Sequence, residues 1–562
     1  METHYGKFIP PYAILSHTWE DEEVTFQDWT SPMRNGMKGF QKIHMTCQLA
    51  ASNGIQYAWV DTCCIDKSNS AELSEAINSM YKWYQKAEVC YAYLSDLRLP
   101  ESLPEDASAP APSFGGCRWF HRGWTLQELI APTAVLFYQH DWRFVGTKED
   151  WKNILSDVTG IASTAIQDYR PRDYSIAERM SWAGRRETTR EEDMACCLLG
   201  IFDVNIPMLY GEGTKAFRRL QEEIIRTAYD VSIFAWTKDR HGTQLTRYDG
   251  TDHGSAFAEA PADFHLKARQ LIRHQWNEVS VTNAGIKLTL DLCVVRVQQA
   301  GGLSYVLPVC TGSWRGKYWK QGMHGIGVGL KMISPGRFVR QGLRKLVEIS
   351  DQDKACMVHR IRFPDAYILT NQAHSLDLDL LHNHLHLPSF TFPPGCKVVK
   401  AWPSGTWNDV ENSFMTGVEE PSYGSFLLEV LSTSTPGGRT VGNFGTLEFM
   451  FLFNSLPNPK DKSTGIYRRD LQFTIVGYRE HQLVLDIINL RLGARDMDIG
   501  EMRRTLRNFS IPRQIAAAVP VGKRGHRICA SVDVVLMSKA TQRCIVKTST
   551  RGLENVQQSW SV

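Results

Sequence analysis

The chain has 562 residues, of which 43% are hydrophobic and 22% are charged, and its formal net charge is +3. This length and composition are typical of a globular protein with several domains. The near balance of 63 basic and 60 acidic residues gives no electrostatic basis for nucleic acid or an anionic membrane surface as the main partner. The 13 cysteines contain no Cys-x-x-Cys pair, which argues against a zinc framework or a disulfide lattice.

The N-terminal sequence and the apolar runs indicate a cytoplasmic protein. Residues 1–16 lack a basic segment followed by an apolar one, so no secretory signal is expected. No apolar run approaches the ~20 residues of a membrane span. Scattered cysteines fit free thiols in a reducing compartment. We therefore expect no membrane span, no resident cofactor and no metal.

In the first 145 residues, short apolar runs alternate with amphipathic segments. Buried strands are predicted over residues 12–16, 57–61, 88–94 and 134–138. Helices are predicted over 36–53, from about 73 to 84, and over 120–132, with a Pro-, Ser- and Ala-rich loop before the last. This alternation predicts a parallel sheet with helices on both faces, whose ligands bind at the carboxyl ends of the strands.

The rest of the chain divides into a helical part and a β-rich part. Helices are predicted after residue 151 and over 175–184, 191–201 and 214–226. From residue 230 the pattern changes to short alternating segments between Gly- and Pro-rich turns, among them 286–297, 304–310, 471–478 and 527–537. We expect an α/β core at 1–145, a helical extension at 146–236, and a sandwich- or barrel-like β domain at 237–562 that packs on the rest and restrains it.

The segment WTLQELI, residues 124–130, places one carboxylate in an apolar helix. On a helical wheel Leu126, Leu129 and Ile130 lie on one side, and we expect that side to face the sheet. Glu128 lies within ~40° of Trp124 on the opposite side, because residues four apart share a face. Spacing alone leaves two interpretations of Glu128, an ordinary solvated helix residue or the acid of an active site.

Five segments occur in order over residues 1–236: YAILSHTWEDEEVTFQDW, GIQYAWVDTCCIDKSNSAELSEAINSMYKWYQKAEVCYAYLSD, CRWFHRGWTLQELIAP, MSWAGRRETTREEDMACCLLGIFDVNIPMLYGEGTKAFRRLQEEI and DVSIFAW. Together they resemble a fungal heterokaryon-incompatibility (HET) domain. This resemblance implies a role in self/non-self recognition or defence that ends in regulated cell death.

A remoter resemblance links WTLQEL to the Trp-Cys-x-x-Glu-Leu segment of Toll/interleukin-1 receptor (TIR) domains, with Thr125 in place of the cysteine. It implies a TIR- or flavodoxin-like α/β fold and cleavage of the nicotinamide–ribose bond of NAD+, with Glu128 as the catalytic residue. Nicotinamide leaves NAD+ as a neutral molecule, so one carboxylate that stabilises the oxocarbenium-like transition state is sufficient.

Further candidates for substrate binding lie near the carboxyl edge of the predicted sheet or beside the acid: Ser16, His17, Trp19, Asp61, Cys64, Arg122 and Trp124. Each has a structural alternative: a hydrogen-bonded histidine, a capping carboxylate, tryptophan packing or an exposed arginine. A thiol–histidine pair of Cys63 or Cys64 with His17 has no support beyond proximity. The alternating Asp377, Asp379, His384 and His386 fit a solvated hairpin face better than a metal site.

Two hypotheses of function follow. In the first, the HET domain is an NAD+ glycohydrolase or a related nucleotide-processing enzyme. In the second, it is a non-enzymatic module that triggers incompatibility by self-association or by docking onto a partner sensor protein. No Gly-x-x-x-x-Gly-Lys loop and no repeat array occur in the chain, so sensing by those means would need another protein.

Overall fold

The computed structural model describes residues 2, 4, 9–99, 114–238, 253–265, 278–296, 303–311, 324–344, 346–350 and 357–370, and beyond them mainly the strands between 389 and 551. Its first sheet contains β1 (Tyr12–His17), β2 (Tyr57–Trp59), β3 (Val89–Tyr93), β4 (Val135–Tyr138) and β5 (Phe144–Thr147). The helices of this part are α1 (Phe40–Ser52), α2 (Asp61–Cys64), α3 (Ser70–Lys86) and α4 (Thr125–Ile130), the last preceded by a 3-10 helix at Arg118–His121.

The strand order of this sheet is β2-β1-β3-β4-β5. The pairs β1–β2, β1–β3 and β3–β4 are parallel, as the alternation of strands and helices predicted. The expectation of a wholly parallel sheet is wrong at its edge, because β5 returns antiparallel to β4. That hairpin carries no Asn-Gly or Asp-Gly signal; Trp142 takes φ 64 in the turn, and Asp141 Oδ1 accepts a hydrogen bond from Arg143 N at 3.1 Å.

The sheet has a buried core on each face. Along β1, Ile14 packs into one core and Ala13 and Leu15 into the other, because successive strand side chains point to opposite faces. The core of Ile14 also holds the buried faces of α3 and α4, while the opposite core holds α1. Consequently Ser16 points toward α3 and α4, and its neighbour His17 points toward α1.

The helical part is more broken than the sequence pattern predicted. It contains α5 (Lys152–Thr159), α6 (Ser163–Gln167), α7 (Ile176–Ser181), α8 (Asp193–Cys196), α9 (Leu199–Phe202) and α10 (Lys215–Thr227). The single helix expected at 191–201 is two short ones, α8 and α9. The helix predicted from 175 begins where expected, because Ser175 accepts a hydrogen bond from Glu178 N at 3.0 Å as its N-cap.

The remaining described residues are strands in several sheets. An eight-stranded sheet contains β6 (His253–Gly254), β7 (Ser280–Thr282), β8 (Gly285–Arg296), β9 (Leu303–Thr311), β10 (His324–Ser334), β11 (Arg337–Gln341), β12 (Val347–Ser350) and β13 (Met357–Ile368). The later strands are β14 (Ser389–Thr391), β15 (Cys396–Trp402), β16 (Trp407–Asn408), β17 (Ser413–Phe414), β18 (Ser422–Val430), β19 (Thr433–Ser434), β20 (Thr440–Val441), β21 (Leu447–Pro457), β22 (Arg469–Gly477), β23 (Ala516–Val521), β24 (His526–Leu536) and β25 (Gln542–Arg551). The prediction of a β-rich C-terminal region is confirmed.

The eight-stranded sheet packs directly on the N-terminal part. Arg340 of β11 is buried, its guanidinium lies 3.8 Å from the ring centroid of Trp236, and it donates to the backbone oxygens of Phe234 and Trp236. These two acceptors belong to the segment 230–236, which forms a 3-10 helix at Val231–Phe234 rather than a first strand. One hydrophobic core runs from Ile14 through this contact to Met415.

Membrane-spanning helices and metal-binding groups were searched for among the described residues. Over that part of the chain, no helix is both long enough and apolar enough to cross a membrane. The described residues also hold no group of three or more His, Cys, Asp or Glu side chains arranged to bind a metal. The segment with Asp377, Asp379, His384 and His386 lies outside the described residues.

Candidate functional site

The site lies at the carboxyl ends of β1 and β2, where Ser16, His17 and Asp61 lie. The chain passes from β1 to β2 on one side and to β3 on the other, so the strand order reverses between β1 and β3. In open α/β sheets, ligands bind in the crevice outside such a reversal. Two adjacent residues of β1, Ser16 and His17, end the strand there and lead into two hydrogen-bond networks on opposite faces of the sheet.

The first network centres on Glu128 of α4. The Ser16 hydroxyl donates to Glu128 Oε2 at 2.5 Å and accepts from Trp119 Nε1 at 2.8 Å. Ser16, Trp119 and Glu128 are all buried, with 0%, 1% and 6% of their surface exposed. A hydroxyl has one donor and two acceptor sites, so Ser16 connects the indole to the carboxyl without leaving its own proton unpaired.

Burial dominates the ionisation of Glu128. It raises the pKa of this carboxyl to about 8; the Ser16 hydrogen bond lowers it, the charge of Asp61 raises it, and Tyr84 and Arg186 lower it. Without a bound ligand, the Glu128 carboxyl is therefore mostly neutral at pH 7. A bound cation would favour its ionised form, because an opposite charge stabilises a carboxylate.

The expectation that Glu128 faces away from the core is wrong. All six residues of α4 are buried, because the helix contacts β1 and α3 on one side and elements of the helical part, including α6, on another. A helical wheel shows which residues share a face. It does not show which face meets the sheet, and here Glu128 itself points to the sheet, where it accepts a hydrogen bond from Ser16 of β1.

The second network centres on Asp61, the first residue of α2. His17 Nε2 lies 3.0 Å from Asp61 Oδ1, and Trp19 Nε1 donates to Asp61 Oδ2 at 2.8 Å. On the other side of the imidazole, Lys42 Nζ of α1 lies 3.4 Å from His17 Nδ1. Because an ionised carboxylate can only accept, His17 Nε2 carries a proton that it donates to Asp61. The same lysine forms an ion pair with Glu23.

Asp61 is held ionised by its neighbours. Its burial favours the neutral acid, but the hydrogen bond and charge of His17, with the charge of Lys67, outweigh that effect and lower the pKa of Asp61. Lys67 Nζ lies 3.4 Å from the ring centroid of Trp19, and that indole is half exposed. The edge of the sheet thus presents an ionised carboxylate, an aromatic ring and a lysine.

The structure does not bring every predicted residue to Glu128. The Arg122 guanidinium donates to Thr189 Oγ1 at 3.2 Å, and Trp124 Nε1 donates to Asp193 Oδ2 at 3.4 Å. Cys64 Sγ accepts from the backbone N of Val60 at 3.5 Å. These contacts favour local structural roles, whereas Ser16 contacts Glu128 directly.

One residue near Glu128 was not predicted. Arg186 is buried, and its Nη1 donates to Arg122 O and to Thr125 Oγ1, both at 2.8 Å. The segment reaches α4 because Glu187 pairs its backbone with residues 121–123, through Gly123 N to Glu187 O at 2.8 Å and Glu187 N to His121 O at 2.6 Å. Nothing in the sequence GRRET marks this arginine, because its proximity to α4 comes from a long-range backbone pairing.

Known proteins match parts of this chain, and the matching HET family model includes Ser16, His17 and Asp61 but ends before Glu128. Residues 12–109 match the family described as Heterokaryon incompatibility protein (HET). Residues 215–294, from α10 to β8, match a domain of unknown function, DUF8212. The chain is 48% identical over 236 residues to "Vegetative incompatibility protein HET-E-1" of Podospora anserina. The aligned residues are 42% of this chain and 17% of that relative. No solved structure matches.

Proposed function

We propose that this chain is a HET-domain protein that acts in vegetative incompatibility, the recognition of self and non-self in fungi. The name of the relative from Podospora anserina supports this role. The matched region is 17% of that relative, so activity, partners and outcome are proposals for this chain. The outcome that the HET resemblance implies is regulated cell death.

For the chemistry, we propose that the site cleaves the nicotinamide–ribose bond of NAD+, with Glu128 as the catalytic residue. The observation that carries this proposal is the hydrogen bond of Glu128 to Ser16 at the carboxyl end of β1, next to the strand-order reversal. The strand order β2-β1-β3-β4-β5 supports a flavodoxin-like fold, from which the antiparallel β5 departs.

The reaction requires one carboxylate. The bond between nicotinamide N1 and ribose C1′ breaks, its electron pair stays on nitrogen, and the pyridinium leaves as neutral nicotinamide. Water adds to C1′ and releases one proton to solvent. Ionised Glu128 would stabilise the positive charge that moves onto the ribose ring in the transition state. The substrate's own pyridinium charge would help to ionise Glu128 on binding.

The second network would contribute binding at the same edge. Asp61 carries the negative charge that attracts a cationic pyridinium, and the half-exposed Trp19 offers a ring surface. His17 orients Asp61 rather than reacting, since its Nε2 proton is engaged by that carboxylate. Arg122, Trp124 and Cys64 would act on substrate only through a rearrangement of their present contacts.

A non-enzymatic module is the alternative, and one observation favours it. Glu128 is 6% exposed and already has internal partners, as a structural carboxyl would. In that case the HET domain self-associates or docks onto a partner sensor protein, and no substrate reaches Glu128. Both hypotheses place the protein in the same incompatibility response and differ in whether NAD+ is consumed.

The deciding experiment follows nicotinamide release from NAD+ by the purified full chain, both dilute and clustered by a crowding agent. Glu128→Gln keeps the shape of the side chain and its acceptor for Ser16, and it removes the charge. The control is Glu149→Gln, at an exposed carboxylate paired with Lys152. We expect release by the wild type and the control and loss in Glu128→Gln. Equal turnover in Glu128→Gln would show that the site is wrong, and no turnover under any condition would favour the non-enzymatic module.

A further inference from the structure

Arg186 is a buried cation fixed against the start of α4. Its Nη1 donates to Arg122 O and Thr125 Oγ1, and the same Thr125 hydroxyl also contacts Trp119 O. These bonds connect the guanidinium to the backbone that precedes Glu128 and to the tryptophan that donates to Ser16. Arg186 is therefore rigidly placed with respect to the Glu128 carboxyl.

A second nitrogen of this guanidinium, Nη2, donates no hydrogen bond to the described residues. Arg186 is 5% exposed, and its Nη2 has no hydrogen-bond partner among the residues that the structure describes. A buried cation needs a nearby anion, because moving a charge out of water is costly. Two groups act on it electrostatically, Cys197 and Glu128. Burial raises the pKa of the Cys197 thiol to about 12, so that thiol stays neutral, and Glu128 can supply a counter-charge only when it is ionised.

The groups that act on Glu128 come from five elements. β1 contributes the Ser16 hydroxyl, α3 the Tyr84 hydroxyl and α2 the Asp61 carboxylate. β3 contributes the Cys90 thiol, whose pKa burial raises well above its usual value, so it is neutral. Among these groups Arg186, from the segment after α7, carries the positive charge.

We propose that Arg186 is a positioning residue of this site, which stabilises ionised Glu128 by its charge and holds the start of α4 by its hydrogen bonds. Without the guanidinium, a carboxylate at Glu128 would face the negative Asp61 in a buried environment with hydroxyl partners alone. The inference about ionisation rests on the burial of Arg186, on its unpaired Nη2 and on its hydrogen bonds at the start of the helix that carries Glu128. Its consequence for turnover rests on the proposed NAD+ cleavage.

The test reads the titration of Glu128 directly, by infrared absorption of its protonated carboxyl in the full chain. Ordinary carboxyls are ionised at pH 7, so the difference spectrum between the wild type and Glu128→Gln isolates this group. We expect a midpoint at about pH 8 in the wild type. In Arg186→Gln we expect it about one pH unit higher, and in Arg186→Lys, which keeps the charge, close to the wild type.

Two controls separate charge from structure. Thr125→Val removes a hydrogen-bond partner of Arg186 without changing any charge, and Arg179→Gln removes another buried arginine, whose Nη1 donates to Ile201 O at 3.2 Å. Both should lose stability and keep the wild-type midpoint. An unmoved midpoint in Arg186→Gln, or an equal shift in Thr125→Val, would overturn the proposal.

The test remains decisive if Arg186→Gln does not fold, and also if the protein does not cleave NAD+. If Arg186→Gln does not fold, Arg186→Lys decides, because a raised midpoint with the charge retained contradicts an electrostatic role. If the protein cleaves NAD+, the pH profile of turnover should move with the infrared midpoint in each variant. If it does not cleave NAD+, the infrared titration still tests the role of Arg186.

Discussion

Replacing Glu128 with glutamine should increase the stability of the protein relative to the wild type as the pH rises. The folded state holds this carboxyl at a pKa of about 8, against a usual value of 4.5. A carboxyl whose pKa is raised by folding binds its proton more tightly in the folded state, so the wild type loses stability as pH rises from about 4.5 to 8. Glutamine, which has no proton to lose, removes that dependence.

The size of the effect follows from the same two values. Their difference of about 3.5 units corresponds to roughly 5 kcal/mol in full, at about 1.4 kcal/mol per unit. Between pH 5 and pH 8, about 3–4 kcal/mol of this should develop as a relative gain of the glutamine variant. The constant difference between the two side chains cancels when the variants are compared across pH.

The assay is urea unfolding of both proteins at pH 5, 6.5 and 8, followed by tryptophan fluorescence, since the buried Trp119 reports on this network. Glu149→Gln, at an exposed position, should show no such trend relative to the wild type. The reasoning is refuted if the stability difference between wild type and Glu128→Gln stays constant over this range, because Glu128 would then titrate alike in the folded and unfolded chains.

Two further predictions concern the Glu128 network, and a third concerns the contact of Arg340 with the segment 230–236. If the protein cleaves NAD+ as proposed, nicotinamide release should rise with pH and level off above about pH 8, because the proposed reaction needs ionised Glu128; a rate that falls over pH 6–8 would contradict this. Ser16→Ala should cost about 1–3 kcal/mol of unfolding free energy in urea, because it leaves the buried Trp119 donor and the Glu128 carboxyl without their shared partner. Arg340→Met should cost about 2–4 kcal/mol, since it leaves the carbonyl oxygens of Phe234 and Trp236 unpaired by that side chain. If the β-rich region restrains the HET domain, this variant should also release nicotinamide faster per folded molecule.

The parallel core of the sheet could be predicted because its signals are local. Each of β1 to β4 is a short apolar run, and a helical pattern separates each from the next strand. The β5 hairpin could not be predicted, because its turn depends on Trp142 with φ 64 and on Asp141, neither of which is a typical hairpin signal. The break between α8 and α9 was equally invisible, since both helices continue one apolar pattern.

In the candidate site, too, local sequence signals place some residues, and long-range contacts place the others. The carboxyl edge of a parallel sheet collects the residues that end its strands, so Ser16, His17 and Asp61 could be placed near one another from their positions alone. The contact of Glu128 with Ser16 depends on how α4 packs on the sheet, and the approach of Arg186 depends on the backbone pairing of Glu187 with residues 121–123. Spacing within one helix contains no information about either contact.

The alternation of β1 gives this edge two carboxyls with opposite tendencies. Ser16 leads to Glu128, which burial keeps neutral, and His17 leads to Asp61, which its neighbours keep ionised. Titratable groups whose environments push their pKa values apart are typical of sites with divided roles. The charge of Asp61 also raises the pKa of Glu128, so a cation that binds at Asp61 would weaken that repulsion and add its own attraction. A cationic ligand bound at Asp61 would therefore favour the ionised form of Glu128, whereas an anionic one would keep Glu128 protonated.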